Sequence, residues 1–275
     1  MKNGVMSKTL VHIILILVAV VMLLPFVWMI LTSLKTQTEA TAMNPLVIFP
    51  TEWMFSNYSE MIERNDFVRL YFNTFMMMLV RIVTSVLFSA MAAYAFARLE
   101  FKGRELLFSL VLFQMMVPAQ VFIIPQYQMI DFLGARNTIF ALIFPGIVSA
   151  FGTFLLRQFF MGLPKSLEES ALIDGANIGQ IFFSIMLPLA KSGMVALGIF
   201  TALFAFKDMM WPLIINSQAD MATLSSALSK IQGAYTVNYP HLMAASCLAI
   251  WPMVIIYMFF QRQFIEGIAT TGGKL

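Results

Sequence analysis

Four groups of residues in this chain have types and spacings that could do chemistry. The first is Gly267, Gly272, Gly273 and Lys274, which together have the composition of a phosphate-binding loop. Such a loop cradles phosphate on backbone N–H groups and needs Gly-Lys-Ser/Thr between a strand and a helix. Lys274 is followed by Leu275 instead, so this is not a phosphate-binding loop, and a frayed end is the ordinary reading of such a tail. The second group is His12, His241 and Cys247, the only histidines and the only cysteine. Their positions carry no metal-ligand spacing, and one thiol closes no internal disulfide. The third group is Asn73, Arg81, Gln114, Gln120, Lys207, Asp208 and Trp211, polar or amphipathic residues within or beside apolar runs. Polar side chains in such places either line a polar path or link helices to one another, and Lys207 with Asp208 can form a simple interfacial pair. The fourth is the acid pair Glu168 and Glu169, set in a polar segment with Gly175 a turn or two later.

The elements that hold these residues must lie in a membrane. Hydrophobic residues make up 60% of the 275 positions and charged residues only 11%, with a mean hydropathy of +0.84. Soluble domains carry about 25% charged residues, so a soluble enzyme is excluded. Between Lys8 and Lys35 the run 10–31 holds no charge, and about 20 helical residues at 1.5 Å each cross the ~30 Å hydrocarbon core. That run is too long for a signal h-region of about 7–15 residues and reads as a retained anchor helix. A ~19-residue window then gives six spans, 10–31, 72–97, 106–127, 137–156, 188–206 and 242–260. The reading is all-α, a single transmembrane domain over 1–275 with a leading helix at 10–31 and a five-helix core at 72–260. Proline interrupts several spans (Pro25, Pro118, Pro125, Pro145 and Pro252), and the resulting kinks serve either bundle shape or a moving pathway.

Lysine and arginine set the orientation. Segments 1–9, 98–105, 157–191 and 261–275 hold Lys2, Lys8, Arg98, Lys102, Arg104, Arg157, Lys165, Lys191, Arg262 and Lys274. The opposite loops, roughly 32–71, 128–136 and 207–241, hold Lys35, Arg64, Arg69, Arg136, Lys207 and Lys230 among more acids. The positive-inside rule therefore puts both termini in the cytoplasm. Arg81 is the only charge well inside a span, and an unpaired charge there costs at least about 2.5–3.5 kcal/mol, so it must face protein or water. No basic block is interleaved with aromatics, so nucleic acid is not a partner.

Loop 157–191 is longer than the ~2–8 residues that usually join bundle helices, so it has its own structure. Pro164 opens it, Ser166 is placed to cap a helix at 167–174 with Glu169 completing a capping box, and Gly175 is placed to end that helix with positive φ. A second helix at 177–187 then reaches Pro188. A helix, a glycine turn and a helix on the cytoplasmic face make a projecting knob suited to a soluble partner.

Glu169-Ser170-Ala171, then three residues to Gly175, then nine to Ile185-Met186-Leu187-Pro188, resembles the EAA loop of permease subunits of ATP-binding-cassette (ABC) importers, with Ser170 where the family usually has Ala. Asn73-Thr74, the run from Ala92 through Tyr94 to Arg98, Phe101-Lys102-Gly103-Arg104, Ile124-Pro125-Gln126-Tyr127, Lys207-Asp208 with Trp211-Pro212-Leu213, and the tail from Gln261 to Gly267 are similar to the carbohydrate branch, in its MalG-like partner. The resemblance implies a type I importer permease fold and sugar or oligosaccharide translocation across a bacterial or archaeal cytoplasmic (inner) membrane. It implies a second, MalF-like permease, two ATPase subunits that bind ATP and Mg, and an extracellular or periplasmic solute-binding protein. No cofactor is expected in this chain. ATPase docking and coupling are carried over to Glu168, Glu169, Ala171, Asp174, Gly175, Ile185, Leu187 and Pro188. A polyol or glycerol-phosphate permease would look alike. An ion-coupled carrier or an intramembrane enzyme is disfavoured, because no Asp or Glu lies in the six spans and no catalytic pairing is present.

Overall fold

A computed structural model describes residues 2–232 and 237–272, with side-chain surroundings for 8–232 and 237–261. The chain runs α1 (Lys2–Ser33), α2 (Gln37–Thr41), α3 (Ser56–Arg64), α4 (Phe67–Arg98), α5 (Arg104–Met116), α6 (Ile123–Phe132), α7 (Ile139–Ile143) and α8 (Ala150–Met161). It continues through α9 (Ser166–Ile173), α10 (Ile178–Ile181), α11 (Leu187–Leu189), α12 (Lys191–Lys207), α13 (Met210–Ile215), α14 (Leu224–Ile231) and α15 (Tyr239–Gly272). Among the described residues there is no strand, only an isolated bridge between Met43 and Leu46.

Three helices are long and apolar enough to cross a membrane, at Lys8–Ser33, Phe67–Arg98 and Tyr239–Gln261. Three bent pairs bring the number of spans to six: Arg104–Met116 with Ala119–Phe132 at 105°, Ile139–Gly146 with Ala150–Met161 at 48°, and Ile178–Leu189 with Lys191–Lys207 at 74°. The expected count of six therefore holds only if each bent pair is one span. Two bends follow from proline. Val117 is extended before Pro118, as the pyrrolidine ring demands of its predecessor, and Pro145 sits in the 3₁₀ turn Phe144–Gly146. Pro25 and Pro252 lie inside continuous helices, so proline alone does not decide where a span breaks.

The described residues fall into two compact units. One comprises Met1–Phe67 with Ala227–Val254. In it, α1 presents an apolar surface with no burial across its membrane window, which lipid or a partner must cover. The segment after α1 is tied down by polar contacts: Lys35 is buried, with Nζ donating to the Val47 carbonyl at 2.6 Å and lying 4.2 Å over the Trp28 ring. Asn57 donates to the carbonyls of Ser33 and Lys35. Glu39 closes a capping box with Thr36 and accepts from Thr51. Those hydrogen bonds, from Thr51 first and Thr36 next, hold its carboxyl down to about 2.

The other unit comprises Val68–Ser226 with Ile255–Leu275. It has two buried clusters along α4. Met77 and Met78 pack with Ile130, Leu142, Ala202, Trp211 and Ile215 toward its amino end. Ala90, Ala93 and Tyr94 pack with Leu156, Phe160, Ala171, Ile181 and Met186 toward its carboxyl end. Close approach is bought with small residues at two helix crossings, since a Cβ on Gly152 would meet Ser89 Oγ at 2.7 Å and one on Gly193 would meet the Phe159 ring at 2.7 Å.

Candidate coupling knob and pathway pocket

The knob forms where the sequence puts it, with one change in how it is capped. Gly175 has φ +83° and open space around its missing Cβ, so backbone conformation, not crowding, selects glycine there. The first helix, α9, has Lys165 as N-cap with no side-chain hydrogen bond. The expected Ser166 capping box is therefore absent, because Ser166 is already the first helical residue and its φ and ψ no longer suit a cap. The capping box sits instead at Asn177, whose Oδ1 accepts from Gln180 N while Gln180 Oε1 accepts from Asn177 N. The expected second helix, 177–187, contains a π-helical turn at Phe182–Met186. That turn ends two residues before Pro188, which supplies no N–H and crowds the carbonyl four residues back.

One face of the knob is apolar and exposed. Leu172, Ile173, Ile178 and Phe183 all face outward, Ile173 with 86% of its surface free. Glu169, Asp174, Gly175 and Pro188 are exposed beside them, Ile185 and Leu187 are half-buried, and Ala171 is buried in the core. The two adjacent acids point different ways. Glu169 is exposed, whereas Glu168 is 14% exposed at its side chain, accepts from Tyr94 Oη at 2.9 Å and lies 3.4 Å from Arg98 Nε. Arg98 also donates through Nη2 to the carbonyls of Phe160 and Leu163 at the end of α8. Tyr94 packs edge-on to Phe160 and against Phe182. Behind the knob lies a cleft of about 340 Å³ lined by Tyr94, Arg98, Arg104, Lys165, Glu168 and Glu169, among others.

A second constellation gathers five of the seven polar residues singled out in the sequence. Arg81, Gln120, Lys207, Asp208 and Trp211 line one pocket of about 510 Å³, with Gln126, Pro145, Gly146 and Ser149. Arg81 is buried, its Nη1 2.8 Å from Asp208 Oδ2 and its Nε 3.1 Å from the Leu142 carbonyl, which Nη2 also reaches. Asp208 is therefore the counter-ion of Arg81 and not a simple interfacial pair with Lys207. It also accepts from the Trp211 backbone N–H, and Trp211 Nε1 donates to the Ala141 carbonyl at 2.8 Å. Gly146 leaves room for the arginine, since a Cβ there would stand 2.5 Å from Arg81 Cδ.

Two expected pathway residues lie elsewhere. Asn73 is buried and donates to the carbonyls of Asp220 and Ala222, so it links helix to loop. Gln114 faces outward on α5. The sequence reading missed Gly146, Gln126, Ser149 and the apolar knob residues Leu172, Ile173, Ile178 and Phe183. Four large apolar side chains in a short polar loop were the available signal for the last of these. Among the described residues no group of His, Cys, Asp and Glu could hold a metal, and Gly273, Lys274 and Leu275 lie outside them.

Residues 85–269 match the family model described as "binding-protein-dependent transport system inner membrane component". The arabinooligosaccharides transport system permease protein AraQ of Halalkalibacterium halodurans is 36% identical, covering 94% of this chain and 93% of that one. The sn-glycerol-3-phosphate transport system permease protein UgpE of Brucella suis is 31% identical over 96% and 97% of the two chains. In the solved structures, a chain of a bacterial ABC transporter involved in the import of the acidic polysaccharide alginate superposes with a TM-score of 0.79. It is 23% identical and covers 96% of this chain and 98% of that one, a likeness of fold.

Proposed function

The chain belongs to the family of binding-protein-dependent transport system inner membrane components, and on that premise we propose that it is the permease subunit of an ABC importer that moves a sugar or oligosaccharide. It is a multi-pass membrane protein without a reaction centre of its own, and its work is mechanical. Two ATPase subunits bind ATP and Mg and close on each other. Their closure moves the knob, and the pathway alternates between outward and inward access. A companion, MalF-like permease completes the pathway, and a solute-binding protein delivers the solute from outside. Both termini are cytoplasmic on the lysine and arginine distribution.

The observation that carries this reading is the knob itself. An exposed apolar face of Leu172, Ile173, Ile178 and Phe183 beside the free acid Glu169 is a surface for a soluble protein partner, with a desolvated centre and a charged rim.

The 31% identity to a glycerol-phosphate permease makes a phosphorylated polyol the second reading. The pocket favours the neutral saccharide. Its buried cation, Arg81, is already matched by Asp208 and a carbonyl, while Gln120, Gln126 and Ser149 offer amides and a hydroxyl. Co-expression with the companion permease, ATPase and solute-binding protein, followed by reconstitution in proteoliposomes, tests both readings. ATP-dependent uptake of arabinooligosaccharides, unaffected by excess sn-glycerol 3-phosphate, is expected. ATP-dependent uptake of sn-glycerol 3-phosphate alone would replace the saccharide reading, and uptake without ATP would remove the ABC assignment.

A further inference from the structure

We infer that Glu168, unlike Glu169, is not a docking group but the positioning residue that ties the knob to α4, and that α4 carries the knob's movement to the Arg81 pocket. The inference rests on the coupling role proposed above and assigns its route. Glu168 and Glu169 are neighbours on a helix, about 100° apart, so only one of them can face the bundle. Glu168 does: one carboxylate oxygen accepts from Tyr94 Oη, and the other lies 3.4 Å from Arg98 Nε as an ion pair without a hydrogen bond. Arg98, 5% exposed at its side chain, is the last residue of α4 and also binds two carbonyls of the α8 end. A shift of α9 against α4 would take the buried Glu168 carboxylate away from both the Arg98 charge and the Tyr94 hydroxyl, which is strongly unfavourable. The knob and the end of α4 therefore move together.

The helix they pull on has no hinge. Between Phe67 and Arg98 there is neither proline nor glycine, the residues at which helices usually kink. Seventeen residues separate Arg98 from Arg81, about 25 Å of uninterrupted helix. At that far point the second buried arginine pins α4 to Asp208 after α12 and to Leu142 in α7. Leu142 lies in one bent span and Asp208 directly follows another, the parts of the fold able to change angle. One rigid rod is thus fastened by a buried arginine to the knob at one end and to two broken spans beside the pocket at the other.

The test follows movement at the pocket rather than uptake, so no substrate has to be known. In a Cys247→Ala background, Gln120→Cys places a thiol in the pocket lining of the complete complex with its companion permease and ATPase subunits. Its modification rate by a small maleimide is compared without nucleotide and after trapping with ATP and vanadate. The otherwise wild-type complex should change rate by at least about fivefold, the response of a two-state element. Glu168→Gln should still trap nucleotide at the wild-type level yet change by less than about twofold, whereas Glu169→Gln should lower ATPase co-purification instead. Should Glu168→Gln fail to assemble, Tyr94→Phe removes one hydrogen bond and keeps the ring packing, and its rate change should fall between the two. A full response in Glu168→Gln or, in its place, in Tyr94→Phe overturns the inference. No nucleotide response in the otherwise wild-type complex would instead overturn the coupling role on which it rests.

Discussion

Arg81 and Asp208 are 7% and 20% exposed at their side chains, and at that depth a matched pair and a broken pair differ sharply in energy. Asp208→Asn would leave the buried guanidinium without its counter-charge, at a cost of about 3–5 kcal/mol. The purified complex should lose thermal stability accordingly, while Arg81→Met with Asp208→Leu, which removes both charges, should recover most of it. Equal melting temperatures for Asp208→Asn and wild type would show that water or a partner already solvates the arginine. Gly175 makes a different demand. Its φ of +83° with nothing near the missing Cβ means that a side chain fits in space but not in conformation. Gly175→Val should cost about 1–2 kcal/mol locally and reduce ATPase activity and uptake together, whereas Gly175→Asn, at home in the left-handed region, should be mild. Val and Asn behaving alike in proteoliposome assays would mean that the turn does not limit coupling.

At the scale of elements, the knob's two helices begin in different ways, and this difference is measurable. Asn177 satisfies a backbone donor of α10 and is itself satisfied by Gln180, so Asn177→Ala should cost about 1 kcal/mol. Ser166 caps nothing, and Ser166→Ala should be neutral in the same melting experiment on the complex. A larger effect at Ser166 than at Asn177 would reverse the assignment of caps. The bent pairs follow the same logic of local backbone supply. Pro118 and Pro145 stand at breaks, and the π turn at Phe182–Met186 ends two residues before Pro188.

For the whole molecule, the lysine and arginine bias makes a topological statement that the exposed surface allows to be checked. Single cysteines at Ile173 and Glu52, both exposed, report on opposite sides. An impermeant maleimide applied to intact cells should modify Glu52→Cys and spare Ile173→Cys until the membrane is opened. Modification of Ile173→Cys from outside would invert the molecule and detach the knob from any cytoplasmic ATPase. Asn57 would make a poor reporter of the same loop, since it is buried against the end of α1. The window of α1 with a hydropathy of 3.1 and no burial is stable only against lipid or a partner helix. With the proposed companion permease as that partner, the chain expressed alone should purify poorly.

What the sequence determined by itself is what local physics determines. A charge-free run at 10–31 became part of a continuous helix, a glycine nine residues after Ser166 took positive φ, and a polar stretch between spans became a knob. These outcomes depend on hydrophobic length and backbone sterics within a few residues. The partners of charged groups depend on which helix ends pack together, and only the tertiary structure decided them. Asp208 pairs with Arg81, 127 positions earlier, and not with Lys207 beside it. Asn73, equally polar and equally near a span end, was spent on loop carbonyls. Sequence adjacency made Glu168 and Glu169 look interchangeable, yet the rotation of one helix sent the first to Tyr94 and Arg98 and left the second free. That rotation is set by the cluster of Ala171, Ile181, Phe182 and Met186 against α4, because apolar burial fixes which face of a helix is inside, and each charge then takes whatever partner that face offers.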